Sequence, residues 1–245
     1  MSTFCHQRCP PASSNGGYHT PNTRIGQIER IEHICYSQRV TDLLIATNNP
    51  GKRREYEELL ADLNVVLRTP RDLRLSLHVD EGGATYAENA RLKAVRYLQA
   101  SDLLTLADDS GLEVDALKGE PGLRSARYAG ADAGDMDRYE LLLEKLDGVP
   151  WEQRSARFRC VVALAVPGGE THCTEGVCEG FIALQPKGSN GFGYDPIFYL
   201  PEYDCTMAQL PPELKNRISH RARAMQELLP TLRRILTELH VGTES

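Results

Sequence analysis

The sequence predicts an α/β protein from three observations. Short apolar runs end in clusters of turn-forming residues, amphipathic helical segments follow them, and the chain is long enough to bury a shared core. At 245 residues and 41% hydrophobic, it suits one large domain or two closely joined lobes. Lys and Arg number 28 against 34 Asp and Glu, a net charge of −6. No general positive excess exists for gripping a phosphate polymer, so a nucleic-acid partner is not expected. No apolar run approaches the roughly 20 residues of a membrane helix, and the first residues lack the apolar core of a secretion signal. The expected location is the cytoplasm.

Residues 1–40 read as an N-terminal extension, because the Pro, Ser, Asn and Gly stretch from Pro10 to Asn22 has too few large apolar side chains to order itself. Within it Ile25, Ile28, Ile31 and Cys35 recur at helical spacing, compatible with a loosely held tail or a short docking helix. Cys5, His6 and Cys9 lack a second pair to complete a tetrahedral metal site. The seven cysteines have no paired spacing and read as reduced thiols.

The main domain spans 41–240, followed by a tail at 241–245. Leu43 to Ala46 reads as a buried strand ending in the turn formers Thr47-Asn48-Asn49-Pro50-Gly51. Tyr56, Leu59, Leu60 and Leu63 then give a helix one apolar face. Leu73, Leu75, Leu77 and Val79 alternate as in a half-buried strand, closed by the acidic turn Asp80-Glu81-Gly82-Gly83. Thr85 and Glu88 form a capping box for a helix to about Ala100. Leu103 to Ala107 reads as a short strand stopping at Asp108-Asp109-Ser110-Gly111. A helix near 135–146 follows, then a strand pair at 157–166 and 171–184 joined by Pro167-Gly168-Gly169. A last helix starts near Ser219, and Pro230 should kink or divide it.

Three loops after apolar strands carry candidate chemistry, the place where open α/β sheets bind ligands. In Thr47–Lys52, a helix start beside Gly51 and Lys52 suits an oxyanion, although the glycine and hydroxyl spacing of a Walker loop is absent. The adjacent carboxylates Asp108 and Asp109 call for solvation or a hard cation, of which Mg²⁺ is the natural choice beside phosphate oxygens. Gly191-Phe192-Gly193-Tyr194-Asp195-Pro196 sets rings among glycines, which suits close approach to a base. A fourth element, Ser219-His220-Arg221, offers donors at a helix start, with Ser219 as its cap. Each taken alone is also explained by an ordinary turn or cap.

Together these segments resemble the inosine triphosphate pyrophosphatase family. Its motifs occur in order: T-x-N-x-x-K at Thr47, Asn49 and Lys52, A-D-D-S-G-L at 107–112, P-G-x-x-S-A-R-Y at 121–128, F-G-Y-D-P-I-F at 192–198 and I-S-H-R at 218–221. The resemblance implies a two-lobed α/β fold with a long twisted mixed central sheet flanked by helices, a cleft between the lobes, and a homodimer. It implies hydrolysis of deaminated purine nucleoside triphosphates (ITP, dITP, XTP) to the monophosphate and pyrophosphate, with Mg²⁺. By this carry-over Thr47, Asn48, Asn49, Pro50, Gly51, Lys52 and Ser110 bind substrate on the phosphate side. Asp109 is both metal ligand and catalytic base, and Asp80 or Glu81 is the second metal ligand, with Glu88 a further candidate that its capping role also explains. Phe192, Gly193, Tyr194, Asp195, Lys215, His220 and Arg221 surround the base, with His220 and Arg221 donating to the 6-oxo group. Cys205 and Gln209 depart from the Lys and Glu that relatives often carry. Two rivals are a Maf-like pyrophosphatase, against which Ser219-His220-Arg221 argues, and a nucleotide sensor without turnover.

Overall fold

The computed structural model describes residues 40–77, 79 and 82–241, all within one compact unit. The expectations for residues 1–39, including the Cys5, His6 and Cys9 group, and for Asp80, Glu81 and the last four residues lie outside the described part.

Seven strands form one open mixed sheet in the order β2-β1-β3-β4-β5-β6-β7. β1 (Thr41–Ile45) pairs in parallel with β2 (Val65–Arg68) and with β3 (Leu104–Val114), each reached through a helical crossover, α1 (Pro50–Leu59) and α2 (Tyr86–Ser101). β3, β4 (Ser155–Ala165), β5 (Thr171–Ile182), β6 (Phe198–Leu200) and β7 (Cys205–Thr206) run antiparallel. α3 (Asp135–Lys145) lies between β3 and β4, while α4 (Pro212–Ile218) and α5 (His220–Val241) end the described chain.

The apolar patterning explains which faces close. Leu43 and Ile45 of β1 join Leu106, Cys160 and Val162 under α1 and α5, and the alternate residues Leu44, Ala46, Ala107, Val161 and Ala163 pack under α2. The sheet is therefore buried on both faces in this half. A fully buried leucine such as Leu43 contributes roughly 1.5–3 kcal/mol on these terms. A third core gathers Leu112, Leu142, Phe158, Ile182, Phe198 and Met207 around the other half of the long strands and α3. The long strands β3 to β5 thus join two halves with separate cores.

Four sequence expectations are corrected. β3 does not stop at Ala107; it continues through Asp108-Asp109-Ser110-Gly111 to Val114, paired residue by residue with β4. The poor strand formers are carried by Arg159, Cys160, Val161 and Val162 opposite them, a case of tertiary pairing overriding local propensity. The alternating leucines of 73–79 form no strand among the described residues, since both sides of β1 are taken, one by β2, which the sequence reading had not marked, and the other by β3. Leu73, Leu75 and Val79 instead pack against the α2 core. Pro230 does not divide the last helix: α5 runs unbroken from His220 to Val241, its missing backbone donor offset by burial of Met225, Leu228, Leu232 and Ile235. Finally, the Thr85/Glu88 box is shifted, with Thr85 Oγ1 accepting from Glu88 N (3.1 Å) but Glu88 accepting from Ala84 N (2.7 Å).

Other expected signals took the expected form. Gly168, at φ 66°, turns the β4–β5 hairpin. Ser219 Oγ accepts from Ala222 N at the start of α5 (3.2 Å). Gln209, despite its departure from the usual Glu, still accepts from Thr206 N (3.0 Å).

Candidate active site

The site grows from the end of β1. Thr47 Oγ1 accepts from Asn49 N (3.1 Å), and Asn49 caps α1 by accepting from Gly51 N (2.8 Å) and Lys52 N (3.1 Å). Those first amides are thereby satisfied within the chain, so anion binding at this helix start falls to side chains, Lys52 above all. Gly51 is required for space: a Cβ there would run into the Phe192 ring.

Next door, the continuation of β3 separates the paired carboxylates. Successive residues of a strand face opposite ways, so Asp108 joins the α1/α5 side and Asp109 the α2 side. Asp108, only 2% exposed, accepts from Arg221 Nη2 (2.8 Å) and from the Cys160 thiol (3.7 Å) and lies 2.9 Å from Lys52 Nζ. Burial would push its pKa up, but the charges of Lys52 and Arg221 overcome that and hold it far below the usual carboxylate range. Asp109 accepts from Asn89 Nδ2 (3.0 Å) and lies 3.5 Å from Lys93 Nζ.

The other end of the site is a buried ionic lattice. Lys215 pairs with Asp195 and with Glu55 (2.8 Å), and Glu55 also pairs with Arg221. Burial raises the Asp195 pKa, whereas at Glu55 the opposing burial is outweighed by Arg221 and Lys215, which lower it. Asp195 Oδ2 accepts from Phe192 N (2.8 Å) and so shapes the glycine-rich loop, whose Phe192 ring sits 4.7 Å from Lys215 Nζ. Tyr194 turns inward and donates its hydroxyl to Ser125 O (2.9 Å), which makes it a strut rather than a stacking surface.

His220 stacks on Phe158, ring centroids 4.7 Å apart and 17° from parallel, with its Nδ1 buried and unpartnered. Burial, then the charges of Arg221 and Lys215, push its pKa well below 6.5, so the ring is neutral at pH 7. The sign follows from linkage. A histidine that resists protonation when folded contributes stability in full above its ordinary pKa of 6.5, and that contribution is lost as pH falls below it. Wild-type protein is therefore expected to lose more thermal stability between pH 7.5 and 5.5 than His220→Gln. Equal losses in parallel melts would show that His220 is protonated as readily folded as unfolded.

These elements surround a cavity of about 420 Å³, within the roughly 300–1,000 Å³ range of small-ligand sites. Of the residues singled out from the sequence, Thr47, Asn48, Asn49, Lys52, Asp108, Asp109, Ser110, Phe192, Gly193, Tyr194, Asp195, Lys215 and His220 line it. Pro50, which is exposed, and Gly51, buried beside the Phe192 ring, lie outside the cavity lining. So does Arg221, expected as a donor to the base: its donors are turned to Glu55, Asp108 and Ser110 Oγ (3.1 Å), which places it beneath the cavity as a brace. Asp80 and Glu81 lie outside the described residues.

Sequence reasoning missed Glu55, Asn89 and Lys93. The signal for the last two was present: they sit among Tyr86, Ala90, Ala94 and Tyr97 on the buried face of α2, where uncompensated polar groups are costly. Asn89 also accepts from Gly83 N (2.9 Å), tying the end of the acidic turn to Asp109. The donor set fits Mg²⁺, which takes one or two carboxylates and leaves its other positions to phosphate and water. Asp109 supplies a hard oxygen at the cavity wall, and Asn89 links it to Gly83.

A model of the Ham1 family matches residues 43–231. The chain is 51% identical over 187 residues to the dITP/XTP pyrophosphatase of Geobacillus kaustophilus, covering 76% of this chain and 92% of that one. It is 45% identical over 187 residues to the dITP/XTP pyrophosphatase of Bacillus subtilis, covering 76% and 94%. Among solved structures, a HAM1 protein from Coxiella burnetii matches at 41% identity and a TM-score of 0.72, covering 80% of this chain and all of that one. The Ham1 protein of Staphylococcus aureus matches at 43% identity and a TM-score of 0.70, covering 79% and 98%.

Proposed function

This chain belongs to the Ham1 family, and from that premise we propose that it hydrolyses ITP, dITP and XTP to the monophosphate and pyrophosphate, with Asp109 as the catalytic base and Mg²⁺ as cofactor. The observation that carries the reading is the gathering of Lys52, Lys93, Asp109 and His220 in one cavity. Cations at one end suit a polyphosphate, and a neutral donor with a ring suits a base at the other.

In this mechanism Lys52 and Lys93 hold phosphate oxygens. Asp109, oriented by Asn89, accepts the proton of the attacking water as the anhydride bond between the α and β phosphates breaks. Asp109 and a carboxylate of the acidic turn, Asp80 or Glu81, would hold Mg²⁺, which when bound offsets the charge of the phosphate oxygens. Neutral His220 donates to the 6-oxo acceptor of the base. Adenine presents an amino donor there, and two facing donors leave buried groups unpaired, a mismatch worth up to about 10⁴-fold. Arg221 and Glu55 act from behind, fixing Asp108, Lys215 and the start of α5. Homodimerisation and a cytoplasmic location belong to the same proposal. Among the described residues no helix is long and apolar enough to cross a membrane.

The test is pyrophosphate release with Mg²⁺ from ITP and ATP side by side. The expected result is faster release from ITP by about 10²-fold or more. Equal rates on the two would remove the assigned role of His220, and no release from either would favour the sensor reading.

A further inference from the structure

Five Lys or Arg side chains line the cavity, and four of them have a carboxylate within 4 Å: Lys52 with Asp108, Lys93 with Asp109, Arg138 with Asp135, and Lys215 with Asp195 and Glu55. Arg127 is the fifth. It belongs to the P-G-x-x-S-A-R-Y segment, to which no role has been given, and its guanidinium makes no hydrogen bond or ion pair with any described residue.

The backbone around Arg127 is nevertheless held firmly. Arg138 donates to Ala126 O, Ala133 O and Gly134 O, each at 3.0 Å. Tyr194 donates to Ser125 O (2.9 Å), and Ser125 Oγ in turn accepts from Leu112 N of β3 (2.9 Å). Asp135, the first residue of α3, accepts from Gly193 N (2.6 Å) and ties the same segment to the Phe192 loop. A fixed backbone thus presents an exposed guanidinium at the cavity wall without an anion among the described residues to meet it.

We infer that Arg127 is a substrate-binding residue that pairs with the polyphosphate of the bound nucleotide. This rests on the proposed function for the identity of the ligand. The chemistry points to phosphate because ITP and dITP carry their negative charge there at pH 7, and the planar guanidinium fork matches two phosphate oxygens at once. The other cavity cations already share their charge with carboxylates, whereas Arg127 has none within 4 Å among the described residues.

The experiment is calorimetric titration of inorganic tripolyphosphate, with Mg²⁺ saturating, into wild type, Arg127→Ala, Arg127→Lys and Arg124→Ala. Arg124 is an exposed neighbour outside the cavity lining, paired at 3.7 Å with Glu120. The expected result is about a tenfold weakening in Arg127→Ala, as for one lost charge-assisted pair, with partial recovery in Arg127→Lys and no change in Arg124→Ala. The KM for ITP should rise by the same factor. Unchanged tripolyphosphate affinity in Arg127→Ala, or an equal loss in Arg124→Ala, would overturn the assignment. If wild type bound tripolyphosphate through Arg127 but failed to turn over ITP, the catalytic reading would fall and the anion contact would stand.

Discussion

Asp109→Asn is expected to abolish pyrophosphate release while leaving nucleotide binding nearly intact. The substitution keeps the size of the side chain and its place on β3, 3.0 Å from Asn89, but an amide cannot accept the proton of the attacking water. Loss of a positioned general base alone costs about 10²- to 10⁴-fold in rate, and weakened hold on the divalent ion adds to that. Lys52, Lys93, Phe192 and His220 remain in place, so the pocket survives the change. Single-turnover assays with ITP, together with calorimetric binding of ITP, separate the two effects. Turnover within a few-fold of wild type would remove Asp109 from the chemistry, while loss of binding in step with turnover would make its role structural.

Asp108→Ala is expected to have the opposite signature, large in stability. Asp108 is 2% exposed and is the shared partner of Lys52 and Arg221, the latter 1% exposed. Removing one member of a buried ion pair leaves its partner charged in a dry site, at a cost of about 3–5 kcal/mol. Arg221 would keep Glu55 but lose the anion beneath its second donor. Equilibrium urea unfolding reads this directly, as a midpoint shift at constant slope. A loss of under about 1 kcal/mol would mean that the lattice behind the cavity is worth no more than a surface salt bridge. The two neighbouring aspartates meet different partners because consecutive strand residues face opposite sides of a sheet.

That last point marks the limit of what the sequence made legible. The β1-loop-α1 unit, the β4–β5 hairpin and the apolar stripe of α5 could be read because local pattern and tertiary packing agree there: Leu43 to Ile45 are apolar and buried, and Gly168 turns where the backbone requires it. Nothing local in Asp108-Asp109-Ser110-Gly111 distinguishes it from a loop. It is a strand only because β4 pairs with it, information held some fifty residues away. The same non-locality hid Glu55. On a helical projection it is one more charged residue beside Arg54 and Glu57, and its burial becomes visible only when α4 and α5 bring Lys215 and Arg221 against it. Arg221 stood out as polar at a helix start, yet its side chain points to the interior lattice rather than the cavity. Motif order pointed to residues that line one cavity, while the direction of each side chain depends on packing that no single segment encodes.

The central claim is that this cavity breaks the bond between the α and β phosphates of a 6-oxopurine triphosphate. The most direct test is to resolve the products formed by the wild-type chain from ITP and Mg²⁺ in the first turnover. The expected outcome is IMP and pyrophosphate in equal amounts. IDP with orthophosphate would contradict it.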